Sequence, residues 1–293
     1  MFKDRVELRG DSAVCEIIDA VAATDTDFDT EFLDYVLAVK TVENVNDAVK
    51  HISLHSTHHS ESIIATDEEV GCVVETMGGV EPAYSFVKEC LLRGKSVCTS
   101  NKELVAKHGA ELLEIARQNK VNFLFEASVG GGIPIIRPLN QSLTADEILE
   151  ISGIVNGTTN YILTKMAEED MDFAEALAKA TELGYAEADP TADVEGHDAG
   201  RKMAIMGSIG FHSRITFSDV YMEGITKITS RDINYAKDMG CVIKLLGIAR
   251  NTKTGIEVRV HPTLIKKNHP LASVSDVFNA VFVHGDAVDD TMF

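Results

Sequence analysis

Residues 71–127 read GCVVETMGGVEPAYSFVKECLLRGKSVCTSNKELVAKHGAELLEIARQNKVNFLFEA. The β-branched run after Gly71 stops at Met77-Gly78-Gly79, as a buried strand entering a loop does. A helix is predicted over EPAYSFVKECLLRGK, with proline near its first turn and glycine and lysine at its end. SVCTS is a second short strand, closed by Asn101-Lys102. An amphipathic helix over KELVAKHGAELLEIARQNK and a buried strand over VNFLFEA complete the unit. Strand–helix–strand–helix–strand with short links predicts parallel, doubly wound α/β structure, which takes nucleotides at the carboxyl ends of its strands. Those ends are the Gly78-Gly79 loop, the Asn101-Lys102 step and the glycine run after Glu126. Position alone leaves Lys102 equally readable as a site residue and as a surface lysine opening a helix.

Upstream the pattern is weaker. EIIDAVAA and DTEFLDYVLAVKTV have helical periodicity. No GxGxxG loop occurs before Gly71, and the surroundings of Gly10, the one early glycine, do not read as a strand entering a helix. His51, His55, His58 and His59 lie close together, but their spacing matches no common ligand pattern, and they read as an exposed polar loop.

Downstream of Pro134 the alternation ends and an α+β pattern begins. EILEISGIVNG reads as a strand entering a loop, TTNYILTKMAEED as a helix capped by Thr or Asn, and DFAEALAKATELG as a helix stopped by Gly184. One helix is predicted from about Asp193 to Gly210, and another over SRDINYAKDMGCVIKLLGIAR, capped by Ser230. GIEVRVHPTLI and VFNAVFVHGDAV supply strands.

The 46 acidic against 27 basic residues give a net charge of -19, which excludes the electrostatic footprint of a nucleic-acid binder. No apolar run approaches a membrane span, and MFKDRVELRG lacks the apolar core of a signal peptide. The five cysteines are scattered and never form CxxC. They read as reduced, cytoplasmic thiols rather than a disulfide framework or a zinc site.

Three further segments carry chemistry. Glu126-Ala-Ser-Val-Gly-Gly-Gly-Ile-Pro134 combines a carboxylate with an unobstructed backbone, an oxygen-rich setting for a hard cation; a plain crossover between domains explains the glycines equally. Asn156-Gly-Thr-Thr-Asn160 reads either as an anion-binding helix start or simply as a helix cap. The richest segment runs from Gly184 to Lys202, with Glu187, Asp189, Asp193, Glu195 and Asp198 beside Arg201 and Lys202. In a helix, Asp198 and Lys202 fall one turn apart on one face. The apolar continuation MAIMGSIG buries that helix, and buried charges demand partners. A buried lysine beside a carboxylate is a proton donor suited to carbonyl reduction.

Taken together, ETMGGVEPAYSFVKECLLRGKSVCTSNKELVAKHGAELLEIA, FEASVGGGIPIIRPL, GIVNGTTNYILTKM, ELGYAEADPTADVEGHDAGRKMAI and VYMEGITKIT resemble the motifs of homoserine dehydrogenases, in that family's order. The resemblance runs from about residue 66 to the end. It implies an incomplete, doubly wound (Rossmann-like) nucleotide domain over 1–130 and an α+β substrate and dimerisation domain over 131–293. It implies NADP- or NAD-dependent interconversion of L-homoserine and L-aspartate 4-semialdehyde, on the route to threonine, methionine and isoleucine, by a cytoplasmic homodimer. By the same resemblance Lys202 is the proton donor, with Asp198 beside it. Glu187 holds the substrate's amino group, and Asp193 belongs to the same pocket. Lys102 lies between nicotinamide and substrate, joined on the cofactor side by Gly78 and Gly79. A monovalent cation, usually sodium, sits on Glu126 and on the carbonyls of Val129, Gly131 and Ile133.

The chain departs from that pattern where the family opens with a strand and a GxGxxG-type loop, and where it closes with a glycine-rich segment after the last residues seen here. Position 200 is glycine where alanine is usual, and position 197 is histidine where several residues occur. The competing expectation is a non-catalytic module that binds substrate and dimerises.

Overall fold

The computed structural model describes residues 7–30, 36–55, 70–187 and 189–293. They divide into two compact units: residues through Gly71 with Glu75–Gly78, and Cys72–Val74 with Gly79–Phe293.

The first unit runs β1 (Glu7–Gly10), α1 (Ser12–Ile17), β2 (Val21–Ala22), α2 (Asp25–Phe28), β3 (Val36–Val39) and α3 (Val45–His55). Its three strands form a parallel sheet in the order β2-β1-β3. Asp11 joins β1 to α1: one carboxylate oxygen accepts the Val14 amide at 2.9 Å, and the other accepts the Thr41 amide at 2.7 Å and its hydroxyl at 2.8 Å. A Cβ on Gly10 would collide with the Val14 side chain, so only glycine lets this helix leave the strand so tightly.

Three sequence expectations are corrected here. The residues around Gly10 do form a strand entering a helix, because a six-residue helix is too short to show a period. Val21–Ala22 and Val36–Val39, inside segments with helical periodicity, are strands paired to β1. His51 and His55 lie in α3 rather than in a loop, with His55 Nδ1 2.7 Å from Asp29 and the His51 ring edge-on to Phe28. His58 and His59 fall outside the described residues.

Next in the chain come β4 (Cys72–Glu75), α4 (Ala83–Leu92), β5 (Ser96–Thr99), α5 (Lys102–Gln118) and β6 (Phe123–Leu124). The strands lie in the order β4-β5-β6, with β5 and β6 parallel. Leu91, Leu104 and Leu112 are fully buried, so the periodic apolar face of each helix closes this core. VNFLFEA is strand over two residues only; Glu126–Ser128 turns at once into a 3-10 turn.

The rest comprises β7 (Ile148–Ile154), α6 (Gly157–Glu168), α7 (Phe173–Glu182), α8 (Thr191–Val194), α9 (His197–Gly210), β8 (Tyr221–Met222), α10 (Ser230–Asp238), β9 (Cys241–Thr252), β10 (Gly255–Lys266), β11 (Ala280–Gly285) and β12 (Asp289–Met292). A six-stranded mixed sheet has the order β12-β11-β7-β9-β10-β8. Helix α9 packs on it, with Met203 and Met206 both fully buried. Gly247 on β9 makes this approach possible, since a Cβ there would strike Met203. At Gly200, on another side of α9, a Cβ would meet Met222 Sδ at 2.5 Å.

Two boundaries differ from expectation. The single helix predicted from Asp193 is split into α8 and α9 by Gly196 at φ 80°. The helix predicted over SRDINYAKDMGCVIKLLGIAR ends before Gly240, at φ 67°, and CVIKLLGIAR is the central strand β9. Its cap is Thr229, whose side chain accepts the Asp232 amide, rather than Ser230.

Candidate active site

The site forms where the amino ends of α5, α6 and α9 converge. Asn101 caps α5: its Oδ1 accepts the Leu104 amide at 3.0 Å and its Nδ2 donates to the Gly79 carbonyl at 2.6 Å. This places Lys102 on the first residue of the helix, with its ammonium 2.7 Å from Asp198 Oδ1. Asp198 lies in the first turn of α9 and is 5% exposed. One turn on, Lys202 Nζ stands 2.7 Å from Asp198 Oδ2 and donates to the Val155 carbonyl at 2.6 Å. Arg201 pairs with Glu103 at 2.9 Å, a second tie between α9 and α5.

Asn156 completes the group. Its Oδ1 caps α6 by accepting the amide and hydroxyl of Thr159, each at 2.9 Å. Its Nδ2 donates to Asp193 Oδ1 at 2.7 Å and to Asp198 Oδ2 at 3.0 Å. One amide thus bridges two carboxylates that would otherwise repel.

The two aspartates are tuned in opposite directions. Burial disfavours the charged form of Asp198, but Lys202 and then Lys102 outweigh it and bring its pKa down to about 2. For Asp193 burial dominates and raises the pKa, against the lowering effect of the Asn156 hydrogen bond. A carboxylate ionised at neutral pH and holding two ammonium groups, beside a more readily protonated one, is an arrangement that can place positive charge at a developing oxyanion and keep a proton at hand.

Of the residues singled out in the sequence, Lys102, Asp193, Asp198 and Lys202 come together. Glu187 is exposed on the loop after α7, and among the described residues no hydrogen bond or ion pair joins it to the others. Gly78 and Gly79 follow β4; a Cβ at either would meet nothing within 4 Å, so the backbone there is open to a ligand, and Gly79 sits at φ 73°.

At the glycine loop, Glu126 Oε1 accepts the amides of Ile135 and Ile136, each at 2.7 Å, and Oε2 accepts that of Arg137 at 2.8 Å. Gly130 and Gly131 take positive φ, 73° and 57°. Among the described residues no backbone amide donates to the carbonyls of Val129, Gly131 or Ile133. The Glu126 carboxylate thus accepts three backbone amides of the 135–137 segment. No group of three or more His, Cys, Asp or Glu able to hold a metal occurs among the described residues.

The bridging by Asn156 and the Val155 carbonyl were not foreseen. The NGTTN segment reads as an anion-binding helix start or a cap, and it caps α6; nothing in it points to the two carboxylates that its side-chain amide meets from 37 and 42 positions away.

A parallel βαβ unit is the architecture of dinucleotide-binding domains, and here it is followed in sequence by a mixed-sheet region in which a buried aspartate holds two half-buried lysines. Residues 12–126 match the model of the homoserine dehydrogenase NAD-binding domain, and residues 134–293 match that of homoserine dehydrogenase. The chain belongs to the homoserine dehydrogenase family. It is 51% identical to a homoserine dehydrogenase of Synechocystis sp. over 78% of this chain and 54% of that protein. A crystal structure of the Thiobacillus denitrificans homoserine dehydrogenase superposes with a TM-score of 0.77 at 42% identity, covering 88% of this chain and 60% of that one. A hyperthermophilic archaeal homoserine dehydrogenase solved in complex with NADPH shares the fold, with a TM-score of 0.70 over 98% of this chain and 90% of that one at 24% identity. The chain spans about half the length of the curated relatives it matches. No described helix is long and apolar enough to cross a membrane.

Proposed function

We propose that this chain performs the NAD(P)-dependent interconversion of L-homoserine and L-aspartate 4-semialdehyde, feeding threonine, methionine and isoleucine synthesis. The observation that carries this reading is the Asp198 carboxylate held between Lys102 and Lys202 at 2.7 Å each. The nicotinamide, when bound, supplies or accepts the hydride. Lys202 gives a proton to the aldehyde oxygen in reduction and takes it from the homoserine hydroxyl in the reverse direction, oriented by Asp198 and the Val155 carbonyl. Lys102, at the end of a parallel strand, adds positive charge beside the same oxygen and faces the cofactor side. Glu187 takes the substrate's ammonium group, and Asp193 belongs to the same pocket. The open backbone at Gly78 and Gly79 admits the dinucleotide, NADP or NAD.

Residues 1–130 would then form the nucleotide domain and 131–293 the substrate domain, in accord with the two family matches. Sodium would bind at Glu126 with the carbonyls of Val129, Gly131 and Ile133. The working form would be a cytoplasmic homodimer joined through the substrate domain.

The test is absorbance at the reduced nicotinamide band with homoserine and NAD or NADP, run beside Lys202→Ala. Turnover that vanishes in the variant supports the proposal. A folded chain that binds homoserine without turnover would instead be the non-catalytic substrate-binding module.

A further inference from the structure

Lys244, the fourth residue of β9, is a lysine buried to 5% exposure. Its ammonium donates to Asn160 Oδ1 at 3.0 Å and to the Val274 carbonyl at 2.7 Å. Asn160, itself 1% exposed, donates from Nδ2 to the carbonyls of Val274 at 3.1 Å and Phe278 at 3.0 Å. One lysine and one asparagine therefore fasten the 274–278 loop to the first turns of α6. The loop is held again by Thr164, whose Oγ accepts the Asp276 amide at 3.1 Å, and by Lys165, 3.3 Å from Asp276.

This loop closes on the start of α6. A Cβ on Gly157 would lie 2.7 Å from the Val277 carbonyl, so the loop backbone rests directly on the residue after Asn156. Asn156 in turn holds Asp193 and Asp198. A continuous set of contacts thus runs from Lys244 through Asn160 and the loop to the carboxylates of the site. A hydrophobic residue would fill the space behind α6 without desolvating a charge, and an unpaired buried ammonium is costly. Burial lowers the Lys244 pKa to about 8 against the opposing charges of Glu168 on α6 and Asp276 in the loop.

We infer that Lys244 is a positioning residue for the substrate pocket: through Asn160 it anchors the 274–278 loop and so fixes the amino end of α6 that carries Asn156. The inference rests on the function proposed above. It is tested on the full chain with two variants that release the loop by different routes. Lys244→Met removes the ammonium, and Asn160→Asp keeps the lysine's partner while deleting both donors to the loop. Amide hydrogen exchange at Gly157–Thr159 and Asp276 is measured beside the dissociation constant for L-homoserine by calorimetry, with KM and kcat where turnover occurs.

Both variants are expected to exchange at least tenfold faster at these amides and to bind homoserine about tenfold more weakly, with KM moving more than kcat. Unchanged exchange, or homoserine affinity within twofold of wild type despite a freed loop, overturns the inference. If Lys244→Met does not fold, Asn160→Asp decides alone. A wild-type chain that binds no homoserine sinks the proposed function instead, and exchange at Gly157–Thr159 then decides whether the anchor to α6 stands.

Discussion

Lys102 and Lys202 reach one carboxylate from two different helices, each ammonium 2.7 Å from a separate oxygen of Asp198. The pair is separated by 100 positions, and the aspartate that joins them is almost wholly buried. Two cations on one anion leave the group with net positive charge, the sign that stabilises an alkoxide forming at its edge.

Replacing Lys202 by methionine removes the proposed proton donor while keeping most of the unbranched side chain. Homoserine oxidation is expected to slow by about 10²–10⁴-fold, the usual share of a positioned acid or base. KM for homoserine should change far less than kcat. Steady-state kinetics at saturating cofactor check both.

Asp198 couples stability to acid. Its pKa is depressed from 3.8 in the unfolded chain to about 2 in the folded one, so its stabilising effect is complete above about pH 4 and is lost as pH falls through 2. The shift corresponds to about 2 kcal/mol. Denaturant midpoints at pH 5 and pH 2 should show this component in the wild type. Asp198→Asn should lose it, and should be less stable at neutral pH because two ammonium groups are left facing each other.

Asn156→Ala deletes the hydrogen bond that opposes the upward shift of Asp193. Asp193 should then hold its proton to higher pH, moving the acid limb of homoserine binding upward. The lost α6 cap should cost a further ~1 kcal/mol. Calorimetric binding across pH separates the two effects, since a cap defect alone moves stability and leaves the binding profile in place.

Gly224 follows β8 and faces the turn between α8 and α9. A Cβ there would strike the Val194 carbonyl and lie 2.6 Å from Glu195 Cα, both backbone atoms that cannot rotate away. Gly224→Ala should destabilise the chain by about 1–3 kcal/mol in thermal melts. Gly78→Ala, where a Cβ meets nothing within 4 Å, should melt as the wild type does.

The sequence by itself determined the elements whose apolar period runs long enough to read: α4, α5, α6, α7 and the strands β4, β5, β7, β10 and β11 all lie where the pattern put them. It also singled out Asp193, Asp198 and Lys202, because carboxylates and a lysine at the start of an apolar helix demand partners, and Lys102, because it ends a parallel strand. It could not show the strand and six-residue helix around Gly10, since neither is long enough to display a period. It could not place β9 either: a run buried on both faces looks alike in helix and strand, and the partners that decide between them are β7 and β10. Only the tertiary structure decided which partners the buried charges took. Lys102 meets Asp198, Asn156 bridges Asp193 and Asp198, and Lys244 finds Asn160, each across many tens of residues. Local spacing fixes which face of an element a side chain occupies, whereas hydrogen bonds between elements depend on how the chain brings those faces together.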